Sequence, residues 1–141
     1  MKQLLTILAL FSFFVCHAEP IKFEFYKGTV GKNEVVLYLG KGEGCGGDDY
    51  YYTSMYSYDN GKNWLLLEVT HNKKGFYNMV EWNFTGALML TETAQVLNGI
   101  WYSPDRKKSL DVKLNKQTVS DKKLNELYGI WEKLNYERND C

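Results

Sequence analysis

Short segments that alternate between apolar and polar side chains recur along most of the chain, and this period limits the possible folds more than any other feature. Residues typical of turns, such as "GTVGKN" and "DNGK", separate the segments. A period of two residues is that of a strand with one buried face. The sequence predicts eight strands, at residues 21–28, 34–39, 50–58, 64–70, 76–84, 87–92, 99–103 and 109–114.

The spacing of these strands, roughly ten residues, favours a mainly β fold in which an antiparallel meander closes as a small barrel or sandwich. Long helical segments do not separate the strands, which disfavours a parallel α/β sheet. In the first strand, Ile21, Phe23 and Phe25 are expected to share the buried face. The glycine-rich segment 40–49, "GKGEGCGGDD", is expected to be irregular.

The pattern changes near the end of the chain, where "SDKKLNELYGIWEKLNYE" predicts an amphipathic helix at about residues 119–138. Ser120 is its expected N-cap. We expect the apolar stripe of this helix to pack on the barrel or to cover one of its ends. The stripe consists of Leu124, Leu127, Trp131 and Leu134.

The first 18 residues have the features of a secretory signal: Lys2, an apolar run of twelve residues from Leu4 to Val15, and the small residues "CHA". The run is shorter than the roughly 20 residues of a membrane span. Cleavage after Ala18 would leave residues 19–141 as one periplasmic or secreted domain. Lipidation of Cys16 is the alternative, and the bulky Val15 before it argues against a lipid anchor.

The charge balance of the chain limits the classes of partner, and its cysteines predict a cross-link. The chain has 17 basic and 17 acidic residues, a balance that gives no electrostatic reason to expect nucleic acid or an anionic membrane as a partner. Cys45 and Cys141 are the cysteines outside the signal segment. In an exported chain this pair predicts a disulfide, worth on the order of 4 kcal/mol in chain-entropy models. Free or intermolecularly paired thiols are the alternative.

Tyr50, Tyr52, Tyr56 and Tyr58 lie at alternating positions and therefore share one face of a strand. Tyrosine has a high strand propensity and pairs well across strands, so the row can be purely structural. Tyrosine is also enriched at protein interfaces. The four residues, with Asp48 and Asp49 in the preceding loop, are therefore the candidate partner-binding residues.

The sequence offers few candidates for catalysis. His71 lies in the turn-like "THNKKG" and is expected to be exposed, and one histidine without a zinc-spaced cysteine pair does not predict a metal site. Glu68, Glu81 and Glu92 each lie within or at the end of an apolar strand, where two facing carboxylates can do acid–base chemistry. Glu81, between Val80 and Trp82, is the one most expected to be buried and paired. No cofactor or catalytic residue is predicted.

From Tyr56 onward, a tyrosine pair and a glycine turn precede a leucine strand, and then come L-x-E, T-G-x-L-x-L, G-x-W and a basic turn. These motifs appear as "YSYDNGKNWLLL", "MVEW", "TGALML", "GIWYSPDRKK" and "LDVKL", after the opening "FYKGTVGKNEVVLYL". The pattern, over residues 23–114, resembles a loose group of small exported bacterial β-sheet proteins, an uncharacterised periplasmic or lipoprotein-like family. The chain departs from it in "MVEW", where Met79 and Val80 precede Glu81 and no leucine does, in the Cys45 loop and in the C-terminal helix. The resemblance implies a periplasmic or surface β-barrel with no established catalytic residues.

Three hypotheses about function follow. The first is a non-enzymatic protein that binds another protein, for example to inhibit, or give immunity to, a cell-wall hydrolase or toxin. The second is a small-ligand carrier with a lipocalin-like cavity lined by Phe23, Phe25, Leu37 and Leu67. The third is an enzyme that acts on a cell-wall polymer through Glu81 or Glu68.

Overall fold

A computed structural model describes residues 22–43, 50–72 and 74–140, which form a closed antiparallel barrel of eight strands and one helix. This confirms the predicted fold class and decides between a sandwich and a barrel. The predicted signal segment (1–18), Cys45, Asp48, Asp49 and Cys141 lie outside the described residues. The strands are β1 Lys22–Val30, β2 Asn33–Glu43, β3 Tyr50–Ser57, β4 Leu65–Asn72, β5 Phe76–Glu81, β6 Ala87–Thr93, β7 Val96–Tyr102 and β8 Ser109–Gln117.

Each strand pairs with the next along the chain, and β8 pairs with β1 to close the barrel. A 3-10 turn, Trp82–Phe84, joins β5 to β6, and helix α1, Asp121–Asn139, follows β8. At the closing seam a side chain at Gly28 would overlap the carbonyl oxygen of Lys113, so only glycine allows β1 and β8 to approach this closely.

Apolar side chains fill the middle of the barrel and have almost no solvent exposure. Leu37 and Leu67 lie among them, as predicted, but Phe23 and Phe25 lie on the outside of β1 and pack against α1. The predicted lining of a ligand cavity is therefore wrong for these two residues. A tightly filled interior also gives no support to a lipocalin-like carrier. The apolar side chains of this interior cluster that have no solvent exposure are Tyr26, Val30, Leu37, Tyr56, Met79, Leu88, Leu97 and Leu114.

The alternation along β1 was predicted correctly, but the wrong face was assigned to the interior. Glu24 and Tyr26 point into the barrel, where the Tyr26 hydroxyl donates a 2.6 Å hydrogen bond to Glu24. Lys116 on β8 pairs with the same carboxylate. Polar groups can therefore lie inside because each has a partner, and the phenylalanines can lie outside because the helix covers them.

Helix α1 packs on the outer wall of the barrel, not over an end. Leu127 is its one fully buried residue among those described, and it packs with Tyr38, Met55 and Leu66. The Tyr128 ring lies 5.3 Å from that of Phe23. Ser120 is the N-cap, as predicted, since its hydroxyl accepts a hydrogen bond from the backbone N–H of Lys123.

The first part of the glycine-rich segment 40–49 is regular, which corrects the expectation that the segment is irregular. β2 continues to Glu43, which pairs with Tyr50 of β3. At Gly42 a side chain would overlap the ring of Tyr51, so the aromatic ring occupies the space that the glycine leaves. Residues 44–49 lie outside the described part of the chain.

The Asp59 carboxylate organises the turn between β3 and β4. It accepts hydrogen bonds from the backbone N–H groups of Lys62 (3.0 Å) and Asn63 (2.8 Å) and from the hydroxyl of Ser57 (2.6 Å). Asn60 and Gly61 have φ values of 59° and 86°, which the predicted "DNGK" turn allows. These hydrogen bonds, that from Ser57 first, lower the pKa of Asp59 to about 2.

We expect Asp59→Asn to flatten the dependence of stability on pH in acid. The folded pKa of Asp59, about 2, lies below its ordinary value of 3.8, so the unfolded chain binds more protons between these values. The stability that the ionised carboxylate contributes is therefore present above pH 3.8 and is lost as the pH falls to about 2. Urea midpoints of both proteins across this range test the prediction. A variant with the same acid slope as the wild type would contradict it.

Candidate functional site

Glu81 lies at the end of β5 and forms the centre of a hydrogen-bonded cluster at one end of the barrel, as the sequence predicted for a buried, paired carboxylate. Its side chain is 5% exposed. It accepts hydrogen bonds from the Tyr56 hydroxyl, the Thr85 hydroxyl (2.6 Å) and Nε1 of Trp101 (2.6 Å). The Tyr58 hydroxyl lies 3.0 Å from that of Tyr56. We call these five residues the Glu81 cluster.

Residues from several of the short motifs noted in the sequence meet in this cluster. Tyr56 and Tyr58 are the tyrosine pair, and Glu81 and Trp101 end L-x-E and G-x-W. Burial, together with the bond to Glu81, raises the pKa of Tyr56 far above its ordinary value and keeps the phenol protonated. A carboxylate that accepts three bonds from protein donors is suited to holding β3, β5 and β7 together at this end of the barrel.

Gly86, between the 3-10 turn and β6, makes room for the Trp101 indole. A methyl group there would overlap Nε1 and the adjoining ring atoms. The glycine of T-G-x-L-x-L is therefore needed for the bond between Trp101 and Glu81.

We expect Gly86→Ala to lower the free energy of unfolding by about 1–3 kcal/mol, because the indole must move away from Glu81. Gly129→Ala is the matched control: a methyl group at this helical position meets nothing within 4 Å. The control is expected to stabilise the protein by about 0.5–1 kcal/mol through helix propensity. Urea unfolding measures both changes, and a neutral Gly86→Ala would contradict this role of the glycine.

His71 lies at the opposite end of the barrel, in β4 and half-buried, which corrects its expected place in an exposed turn. Its Nδ1 lies 2.9 Å from the Tyr52 hydroxyl, and its ring centroid lies 4.3 Å from that of Tyr77. The Tyr77 hydroxyl donates a 3.1 Å hydrogen bond to Glu92. We call these four residues the His71 cluster.

Burial lowers the pKa of His71, and the charge of Lys41 lowers it further, so the imidazole is neutral at pH 7. Burial likewise raises the pKa of Tyr52. Nε2 of His71 is enclosed and has no hydrogen-bond partner among the described residues. In the described part of the chain, no three histidine, cysteine, aspartate or glutamate side chains come together as a metal site would require.

The four candidate tyrosines do not form one continuous surface. Tyr56 is fully buried in the Glu81 cluster, and Tyr52 is half-buried in the His71 cluster. Tyr50 and Tyr58 are exposed, but they lie at opposite ends of the strand. The alternating positions of β3 face the barrel interior, so the shared face that the sequence predicts is mainly an inner one. Burial argues against a contact role for Tyr56, and a contact role stays a prediction for Tyr50, Tyr52 and Tyr58.

The most exposed apolar surface lies elsewhere, on the outside of β5 and β6. Met89 is 57% exposed, Phe84 55% and Phe76 51%. Two adjoining surface cavities of about 460 Å³ each share Asn78 and Met89. We call this surface the β5–β6 face. The remaining residues around the two cavities are Thr70, Asn72, Tyr77, Val80, Ala87, Leu90, Thr91, Tyr102, Ser103 and Arg106.

The outer wall of the barrel thus has three parts with different surroundings. Helix α1 covers the apolar side chains of β1 to β4, and the outward positions of β8, such as Asp111 and Lys113, are polar. The β5–β6 face is apolar, and no described element covers it. Arg106 is the one charged residue at its two cavities, and no described carboxylate lines them. This face has no clear signal in the sequence, because the outward residues of β5 alternate with inward ones that are also apolar.

No protein-family model, no curated protein and no solved structure matches this chain. Among the described residues there is no helix with the length and apolar character that crossing a membrane requires.

Proposed function

We propose that this chain is an exported, non-enzymatic binding protein, and that its partner is another protein that docks on the β5–β6 face. The observation that carries the proposal is the uncovered apolar surface of Phe76, Phe84 and Met89. Large exposed apolar patches with a polar rim mark interaction sites on soluble proteins. Aromatic residues and methionine are enriched in the cores of such interfaces.

The rim of the face indicates what the partner must offer. Arg106 lies beside Tyr102 and Phe84, and the same turn carries Lys107 and Lys108. A partner that places apolar side chains over Met89 would bury its exposed surface, and a carboxylate of the partner beside Arg106 would pair with the guanidinium. Cell-wall hydrolases and toxins are the partner class we propose, with the chain acting as an inhibitor or immunity protein.

The test is binding of the purified chain to a panel of purified cell-wall hydrolases and toxins, followed by Met89→Lys. Loss of a central apolar contact should weaken binding by about 30-fold or more. The same variant should leave the urea midpoint unchanged, because Met89 is mostly exposed. Tyr136→Lys is the matched control, since Tyr136 is 68% exposed on α1, away from this face. Failure to bind any panel member, or equal binding by Met89→Lys, would refute the proposal.

A further inference from the structure

The ladder between β3 and β4 is much shorter than the strands themselves. It joins only Ser54–Tyr56 to Leu65–Leu67, three residue pairs, whereas every other neighbouring pair of strands shares at least five. Tyr50–Thr53 pairs with β2, and Glu68–Asn72 pairs with β5. Each of these two stretches therefore has one edge without a strand partner among the described residues. We call the space between these edges the β3–β4 gap.

Unpaired edges leave backbone groups without a ladder partner. In an antiparallel strand, alternate residues direct both their N–H and C=O toward the same neighbour. About half of the residues on each side of the gap therefore present these groups to it. The Tyr52 hydroxyl and Nδ1 of His71 bridge the two strands through side chains alone.

The edge at Tyr50–Thr53 lacks the usual protection against strand addition. Natural edge strands carry charges, proline or a bulge that keep other strands away. The sequence "YYYT" has no charged residue and no proline. Tyrosine and threonine, of which it consists, both favour strands. The chemistry of this edge is therefore that of a strand acceptor.

We propose that the β3–β4 gap binds an extended segment of another polypeptide, which adds as a strand to the free edge of β3. Only an extended backbone repeats its N–H and C=O groups at the spacing that this edge presents. The proposal does not depend on the β5–β6 face, because it needs neither Met89 nor Arg106.

The side chains around the gap indicate which segments fit. Alternate side chains of an added strand point to opposite faces. One set would point inward, toward the rings of Tyr52, His71 and Tyr77. The other set would lie outside, beside the exposed ring of Tyr51. We therefore expect aromatic or hydrogen-bonding residues at the inward positions.

The first experiment is residue-resolved amide hydrogen exchange on the free protein. Amides of Tyr50–Thr53 and Glu68–Asn72 that are not bonded to β2 or β5 should exchange quickly, while those of Ser54–Tyr56 are protected. Protection of every amide on both sides of the gap would mean that the edges are not free, and the proposal would be overturned.

The second experiment selects randomised octapeptides by display on the folded protein and resynthesises one of them in two forms, N-methylated at either alternate set of residues. One form should bind about tenfold or more weakly and the other normally, since only one set bonds to β3. The unmodified peptide should protect the free amides of Tyr50–Thr53, to which it bonds. Tyr51→Lys should weaken binding, and Met89→Lys should not.

Three results would overturn the proposal. The first is that no peptide is selected, and the second is that bound peptides leave the free amides of Tyr50–Thr53 unprotected or tolerate both N-methylated forms equally. The third is a concentration-dependent dimer that protects these amides without peptide, because the occupant would then be a second copy of this chain.

Discussion

Glu81→Ala is expected to lower the free energy of unfolding by about 2–5 kcal/mol, one of the two largest single-residue effects we predict. The carboxylate accepts bonds from Tyr56, Thr85 and Trp101. Tyr56 has no solvent exposure, so the Tyr58 hydroxyl, 3.0 Å away, is the one described group that could take the place of the lost acceptor. A buried donor without an acceptor costs about 1–3 kcal/mol. The loss at Tyr56 and Trp101 accounts for most of the expected effect.

Glu81→Gln separates hydrogen bonding from charge at this site. The amide oxygen can still accept from Tyr56 and Trp101, so we expect a loss of only about 1 kcal/mol. Glu126→Ala, at an exposed position of α1, is the control and should change stability by less than about 0.5 kcal/mol. Urea unfolding followed by tryptophan fluorescence measures all three. Equal losses for the alanine and glutamine variants would show that the cluster does not stabilise the barrel through its hydrogen bonds.

Leu127→Ala is expected to lower the free energy of unfolding by a similar amount, about 2–5 kcal/mol. Leu127 is fully buried between the helix and the barrel wall, where it packs with Tyr38, Met55 and Leu66. Its removal leaves a cavity at the centre of the contact that holds α1 in place. Because that contact is small, partial release of the helix should accompany the loss.

Urea unfolding and far-ultraviolet circular dichroism test the Leu127 prediction together. Tyr136→Ala is the control on the same helix, since its side chain is 68% exposed, and it should change stability by less than about 0.5 kcal/mol. If both variants behave alike, Leu127 does not anchor the helix.

The sequence was sufficient for the number and order of the strands and the helix because local signals separate them, although β2, β7 and β8 extend beyond their predicted bounds and β5 ends before its own. The "DNGK" turn, the N-cap at Ser120 and the alternation in "SLDVKL" depend only on neighbouring residues. Each strand then pairs with its successor, the simplest arrangement for an antiparallel meander. Local signals could not decide between a closed barrel and a sandwich, because closure depends on contacts between β1 and β8, including the approach of the strands at Gly28.

Which face of a strand points inward could not be predicted where both faces are covered. In β1, Phe23 and Phe25 pack under α1 while Glu24 and Tyr26 lie inside the barrel, so hydrophobicity alone pointed the wrong way. His71 was misplaced for a related reason. Its polarity and its neighbours suggested a turn, but it continues the inward series after Leu67 and Val69.

The candidate sites were only partly visible in the sequence. Glu81 was predicted correctly because it stands between apolar residues in a strand. Its partners Tyr56, Thr85 and Trp101 could not be assigned, because three different strand connections bring them together. The β5–β6 face and the β3–β4 gap depend on what does not cover or pair with them, and a sequence has no local signal for that.

Because β8 pairs with β1, the barrel cannot close until β8 has been synthesised. This seam is the one strand pairing in the barrel that joins distant parts of the sequence, as when Val30 meets Val112. Until residues 109–117 emerge, β1 and β7 are the outermost strands of an incomplete sheet, each with a long row of unbonded amides. A nascent or truncated chain that ends before β8 is therefore the form most prone to self-association through its strand edges, and pairing of β8 with β1 removes these edges.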